Sequence, residues 1–85
     1  MSNEAAPLSR EAMLEYEEKA ETAYAAMYEA ESWNQKDLKD DASFYLARAL
    51  EIAEQLGLTD DAERLRKRGE NIRGVWNSQF RGNFR

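Results

Sequence analysis

Apolar and small side chains recur along this chain in three runs at steps of mostly three and four, and packed helices are the fold that such spacing serves. The first run is Met13, Tyr16, Ala20, Ala23, Met27 and Ala30. The second is Leu38, Ala42, Tyr45, Leu46, Ala49, Ile52, Ala53 and Leu56, and the third is Ala62, Leu65, Gly69, Ile72, Trp76 and Phe80. On a helix of 3.6 residues per turn each run collects on one face. The spacing predicts an all-α fold, a three-helix antiparallel bundle joined by short turns. The seam of the first helix is rich in alanine, so a neighbour can approach it closely. The second run is the widest, which suits a middle helix with two neighbours.

Local signals set the expected boundaries. Ser9 is a good N-cap, with Leu8 and Met13 at the spacing of a hydrophobic staple, and Glu11 suits the positive end of the helix. The first helix is expected over about 9–33, with its back carrying Glu11, Glu15, Glu18 and Glu29. The stretch "NQKD" is read as the first break, with Asp37 capping the second helix and Asp40 and Asp41 in its first turn. Gly57 stands where a left-handed residue ends a helix, with Leu58 as its hydrophobic contact. Thr59 is expected to cap the third helix, ahead of Asp60 and Asp61. Residues 1–8 are expected to be a flexible N-terminus, 9–80 the helical domain, and 81–85 a flexible basic and aromatic tail beyond the pattern.

Composition narrows the chemistry. With 85 residues the chain is one small domain, whose modest core leaves slim stability that a partner or second copy can supplement. It has no histidine, which removes the commonest general base and metal ligand. It has no cysteine, so thiolate chemistry and the usual sulfur ligands of zinc are excluded. A cysteine-free chain fits a cytoplasmic protein, and no apolar run is long enough to span a membrane. Asp40–Asp41 and Asp60–Asp61 lack the alternating acids and central glycine of a calcium loop. No cofactor, metal or catalytic residue is expected, and the chain is not read as an enzyme.

Charge is unevenly distributed. Residues 1–34 hold eight acids and two bases, whereas 59–85 hold seven bases and four acids, so the first and third helices should attract each other. Net charge is −5, which argues against nucleic acid as the main partner. The run "RLRKRG" forms no single basic stripe: Arg64 and Arg68 project to one flank, Arg66 and Arg73 to the other. Phe44 projects away from the second helix's core face, Trp33 lies off the first helix's face near its end, and Val75 lies off the third. Trp33 and Phe44 either cover the first turn or meet a partner. With Arg81, Phe84 and Arg85 in the tail they are the candidate interaction residues. The function expected is non-catalytic, a protein-interaction module or a self-associating subunit. The alternative is a nucleic-acid-associated accessory protein using the third helix and the C-terminal arginines.

The second helix also resembles the second helix of a tetratricopeptide repeat, with Ala42, Leu46, Ala49 and Leu50 at the family's spacing. Upstream, Ala30 and Trp33 lie roughly where the repeat's first helix has a small residue and a tyrosine. Downstream, Leu65, Gly69 and Ile72 are placed like the first helix of a following repeat. The resemblance covers residues 26–76 and departs at Glu29, where the family has an apolar residue, and near Glu54, where it has proline. It implies a helical hairpin plus a third helix, and a role in binding peptides or proteins.

Overall fold

The computed structural model describes residues 8–80. The described residues form three helices, α1 (Arg10–Met27), α2 (Ser32–Gln55) and α3 (Thr59–Val75), the last running into a π-helical turn at Trp76–Phe80. No strand occurs among the described residues. Contacts fix the directions. Tyr16 stacks on Tyr45, and Tyr24 and Leu38 share a cluster, so α1 and α2 are antiparallel. Glu54 meets Arg66 while Lys39 lies over Trp76, so α2 and α3 are antiparallel too. α1 and α3 therefore run parallel, α2 is the central helix, and the fold is the expected all-α three-helix bundle.

The alanine stripes form the tightest seam. Ala20, Ala42, Ala49 and Ala53 are fully buried, between Met13 on α1 and Leu46 and Ile52 on α2. With methyl groups at the crossing the two helices close up, and dispersion contacts replace the bulk that larger side chains would supply. Leu65 and Ile72 of α3 complete this main cluster. A second cluster, built on Met27, Trp76 and Phe80, closes the far end. Val75, off the third stripe, packs against it half-buried.

Two helix ends follow their signals. The Ser9 hydroxyl accepts the Ala12 N–H at 3.1 Å, although Leu8 stays nearly half exposed. Gly57 has φ +72°, the left-handed conformation the sequence calls for. The N–H of Leu58 donates to the Ala53 carbonyl at 2.8 Å and that of Gly57 to Glu54 at 3.2 Å, so a Schellman motif ends α2.

Three boundaries differ from expectation. α1 ends at Met27 and not near residue 33, because residues 28–30 tighten into i→i−3 hydrogen bonds back to Ala25, Ala26 and Met27. α2 then starts at Ser32, so "NQKD" lies inside it and Asp37 caps nothing. The buried Gln35 side chain holds that turn by donating to the Ala30 carbonyl at 3.3 Å. Asp40 and Asp41 consequently sit in the third turn of α2. Thr59 is the first residue of α3 and not its cap; Leu58 takes the cap position with no side-chain hydrogen bond. Leu56, placed on the second stripe by spacing, is 39% exposed as the α2 C-cap.

The π turn has a local cause. Gly74 weakens the helix, and the Ser78 hydroxyl donates to the Val75 carbonyl at 3.3 Å, competing with the regular ladder. The wider winding lets Trp76 and Phe80 stack in parallel, 5.8 Å apart with planes inclined by 4°.

Two variants test this architecture. Ala49→Leu overpacks the α1–α2 seam and is expected to cost roughly 1–3 kcal/mol, read as a lower urea midpoint. Gly57→Ala forces a Cβ into the left-handed region and is expected to cost about 1 kcal/mol, although no atom crowds the site. A more stable Gly57→Ala protein would contradict the Schellman ending.

Candidate interaction surface

The two aromatics that fit no stripe both lie on α2. Trp33 belongs to its first turn, not to the end of α1, and is 77% exposed; Phe44 is 60% exposed. Both side chains thus lie mostly in solvent. Eleven residues are almost whole turns of an α-helix, so the two side chains share one stripe within about 20°, roughly 16 Å apart along the axis. That stripe is opposite Ala42 and Ala49, the centre of the buried face. Between the aromatics run Asp37 and the Lys36–Asp40 ion pair at 2.9 Å. Lys36 holds the Asp40 carboxyl below its usual range, and the carboxylate in turn raises the lysine.

Among the described residues Phe44 makes one ring contact, edge-on to Tyr45 at 5.6 Å. Tyr45 and Tyr16 stack across the α1–α2 seam, with Lys19 5.7 Å from both ring centres and Arg48 5.8 Å from Tyr16. The remaining candidates, Arg81, Phe84 and Arg85, lie outside the described residues. Tyr28, which spacing did not single out, is 51% exposed beside Phe80, the rings meeting edge to face at 5.0 Å. Its hydroxyl shares a 3.0 Å hydrogen bond with Tyr24. Burial, helped by that bond, pushes the Tyr24 hydroxyl up to about 12.

Much of the basic run of α3 is engaged internally. Arg68 grips Glu21 of α1 with two hydrogen bonds of 2.7 Å and lies 4.9 Å from the Tyr24 ring centre. Arg64 pairs with Glu17, and Arg10 of α1 reaches Asp61 of α3 at 2.8 Å. The partners rise in number together along both helices, forming a clasp that ties two parallel elements whose backbones meet little. The attraction between the acidic first helix and the basic third thus has a concrete form. Arg66 meets Glu54 of α2 at 3.0 Å, and Lys67 stands 3.9 Å from Glu63. Asp61 is part of the clasp and Asp40 is held by lysines. Among the described residues no group of three or more acidic side chains is placed to hold a metal, and no helix is long and apolar enough to cross a membrane.

No family model, curated protein or solved structure matches this chain.

The clasp carries a pH signature. Hydrogen bonds from Arg10 first, then Arg64, hold the Asp61 carboxyl down at about 2, against 3.8 ordinarily. Its contribution is therefore present above about pH 4 and is lost as pH falls through about 2. Asp61→Asn is expected to flatten the loss of urea stability across that window. A variant with the wild-type acid slope would show that Asp61 is not the group responsible.

Proposed function

We propose that this chain is a non-catalytic binding protein that works by docking onto another protein or onto itself. One observation carries the reading: Trp33 and Phe44 point to solvent on a single stripe of α2. A small domain gains nothing in folding from two large aromatics held outside its core, and aromatics are enriched at the centres of protein interfaces. Their separation suits a helix or extended segment laid across α2. The resemblance of residues 26–76 to a tetratricopeptide repeat supports the same role. Lack of cysteine supports a cytoplasmic setting. The nucleic-acid alternative draws less support, because Arg64 and Arg68 are engaged by glutamates of α1 and the net charge is −5.

The double variant Trp33→Ala/Phe44→Ser tests the reading. Its melting temperature is expected to stay within a few degrees of wild type, since neither side chain contributes to the core. Partner proteins cross-linked to the wild-type chain are expected to disappear with the variant. Identical cross-linked partner proteins from both would remove the α2 stripe from the surface that binds other proteins.

A further inference from the structure

The arginines of α3 divide by flank. Arg64 and Arg68 go to α1; Arg66 and Arg73, seven residues apart, border a groove of about 240 Å³ between α2 and α3. Its floor is apolar, formed by Leu46, Leu50, Leu65 and Ile72. Gly69 leaves it open at the middle, where a Cβ would stand 3.5 Å from Leu46 Cδ2. Lys39 borders the α2 side, and Glu70 is the one acid of the lining. Lys39 pairs with Asp40 at 3.2 Å and Arg66 with Glu54, while Arg73 meets no carboxylate among the described residues. Exposed pairs are worth at most about 1 kcal/mol, so these cations exchange readily to an incoming carboxylate.

A complementary surface exists on the same chain. On the outer flank of α1, next to the clasp residues Arg10 and Glu17, Leu14 is 39% exposed and is also flanked at i−3 and i+4 by Glu11 and Glu18. Neither glutamate makes an ion pair among the described residues. Their seven-residue separation, about 10.5 Å on a helix, equals that of Arg66 and Arg73. We propose that the α2–α3 groove of one copy receives the outer flank of α1 from a second copy, with Leu14 over Gly69 and the two glutamates against Arg66 and Arg73. This is the helix-in-groove mode of recognition. It rests on the reading that the chain works by association, but uses other residues than Trp33 and Phe44. The groove lining contains no residue of α1, so the two sides of the contact are different surfaces of the chain. The contact is therefore heterologous and joins copies head-to-tail, into a ring where the rotation closes and into an open chain where it does not.

Sedimentation velocity on the full chain, from micromolar to millimolar concentration, tests this. The average mass is expected to climb past two chains at moderate ionic strength and to fall back as salt is raised beyond it. Arg73→Glu in the groove and Leu14→Asp on α1 change exposed side chains, and each is expected to weaken association by about tenfold or more. Ala47→Glu, on the exposed groove border, does the same from a second position. Mixing the Arg73→Glu and Leu14→Asp proteins pairs one intact groove with one intact face, giving a complex that stops at two chains. A wild-type chain that stays single at millimolar concentration overturns the proposal, as does association that the variants leave unchanged or a mixture that stays single. If Trp33→Ala/Phe44→Ser abolishes association while the groove variants do not, the groove proposal falls and the binding reading survives. The reverse result upholds the groove.

Discussion

The bundle depends on the close approach of α1 and α2 across an alanine seam. Ala20, Ala42, Ala49 and Ala53 expose essentially nothing, and the large side chains buried most completely are few: Met13, Met27, Leu65 and Ile72. A methyl group removes little apolar area from water, so the seam stabilises mainly through dense contact along the length of α1. That arrangement tolerates no enlargement. It also leaves the third helix without a deep pocket to enter, because α2 has already given one face to α1.

α3 is held by different physics. It lies on α2 through Leu65, Gly69 and Ile72, and it reaches α1 mostly through long charged side chains. Forked pairs such as Arg68–Glu21, backed by the Tyr24 ring, fix the parallel register of α1 and α3 better than they stabilise it, since the partners remain 32% and 40% exposed. The aromatic end compensates. Trp76 and Phe80 carry the apolar area that the alanine seam lacks, and the π turn aims Phe80 at Tyr28, so the last turn of the described chain locks onto the end of α1.

Much of this was legible beforehand, and the exceptions share a cause. Three stripes, the Ser9 cap, the Gly57 ending and the inward faces of Trp76 and Phe80 are local or periodic signals, and periodicity reports them directly. The α1–α2 turn contains no glycine or proline, and Gln35, a long polar side chain, closes it from inside the next helix. Nothing in the spacing marks that. Misplacing the turn assigned Trp33 to the wrong helix, which hid its alignment with Phe44. The exposure of each was readable; their common stripe required the true start of α2. In the same way, the two flanks of α3 arginines were visible by projection, whereas the groove beside Arg66 and Arg73 is a product of packing. Gly69 reads as one small residue among others until Leu46 is seen next to it.

The charge pattern also sets what kind of association the surface favours. Net charge of −5 disfavours bringing two copies together at low salt. The excess is not spread evenly, however. Glu17, Glu21 and Asp61 are neutralised inside the clasp, so the unbalanced acids concentrate on the back of α1 and along the outer face of α2. The α2–α3 side keeps its cations at the border of an apolar floor. Repulsion between whole molecules falls off with the screening length, about 8 Å at physiological ionic strength, while contacts between adjoining faces act at hydrogen-bond range. Moderate salt therefore removes the long-range penalty before it removes the short-range attraction. Any surface that joins this protein to an acidic helix is expected to work best at intermediate ionic strength, whereas one built on Trp33 and Phe44 would strengthen steadily as salt rises.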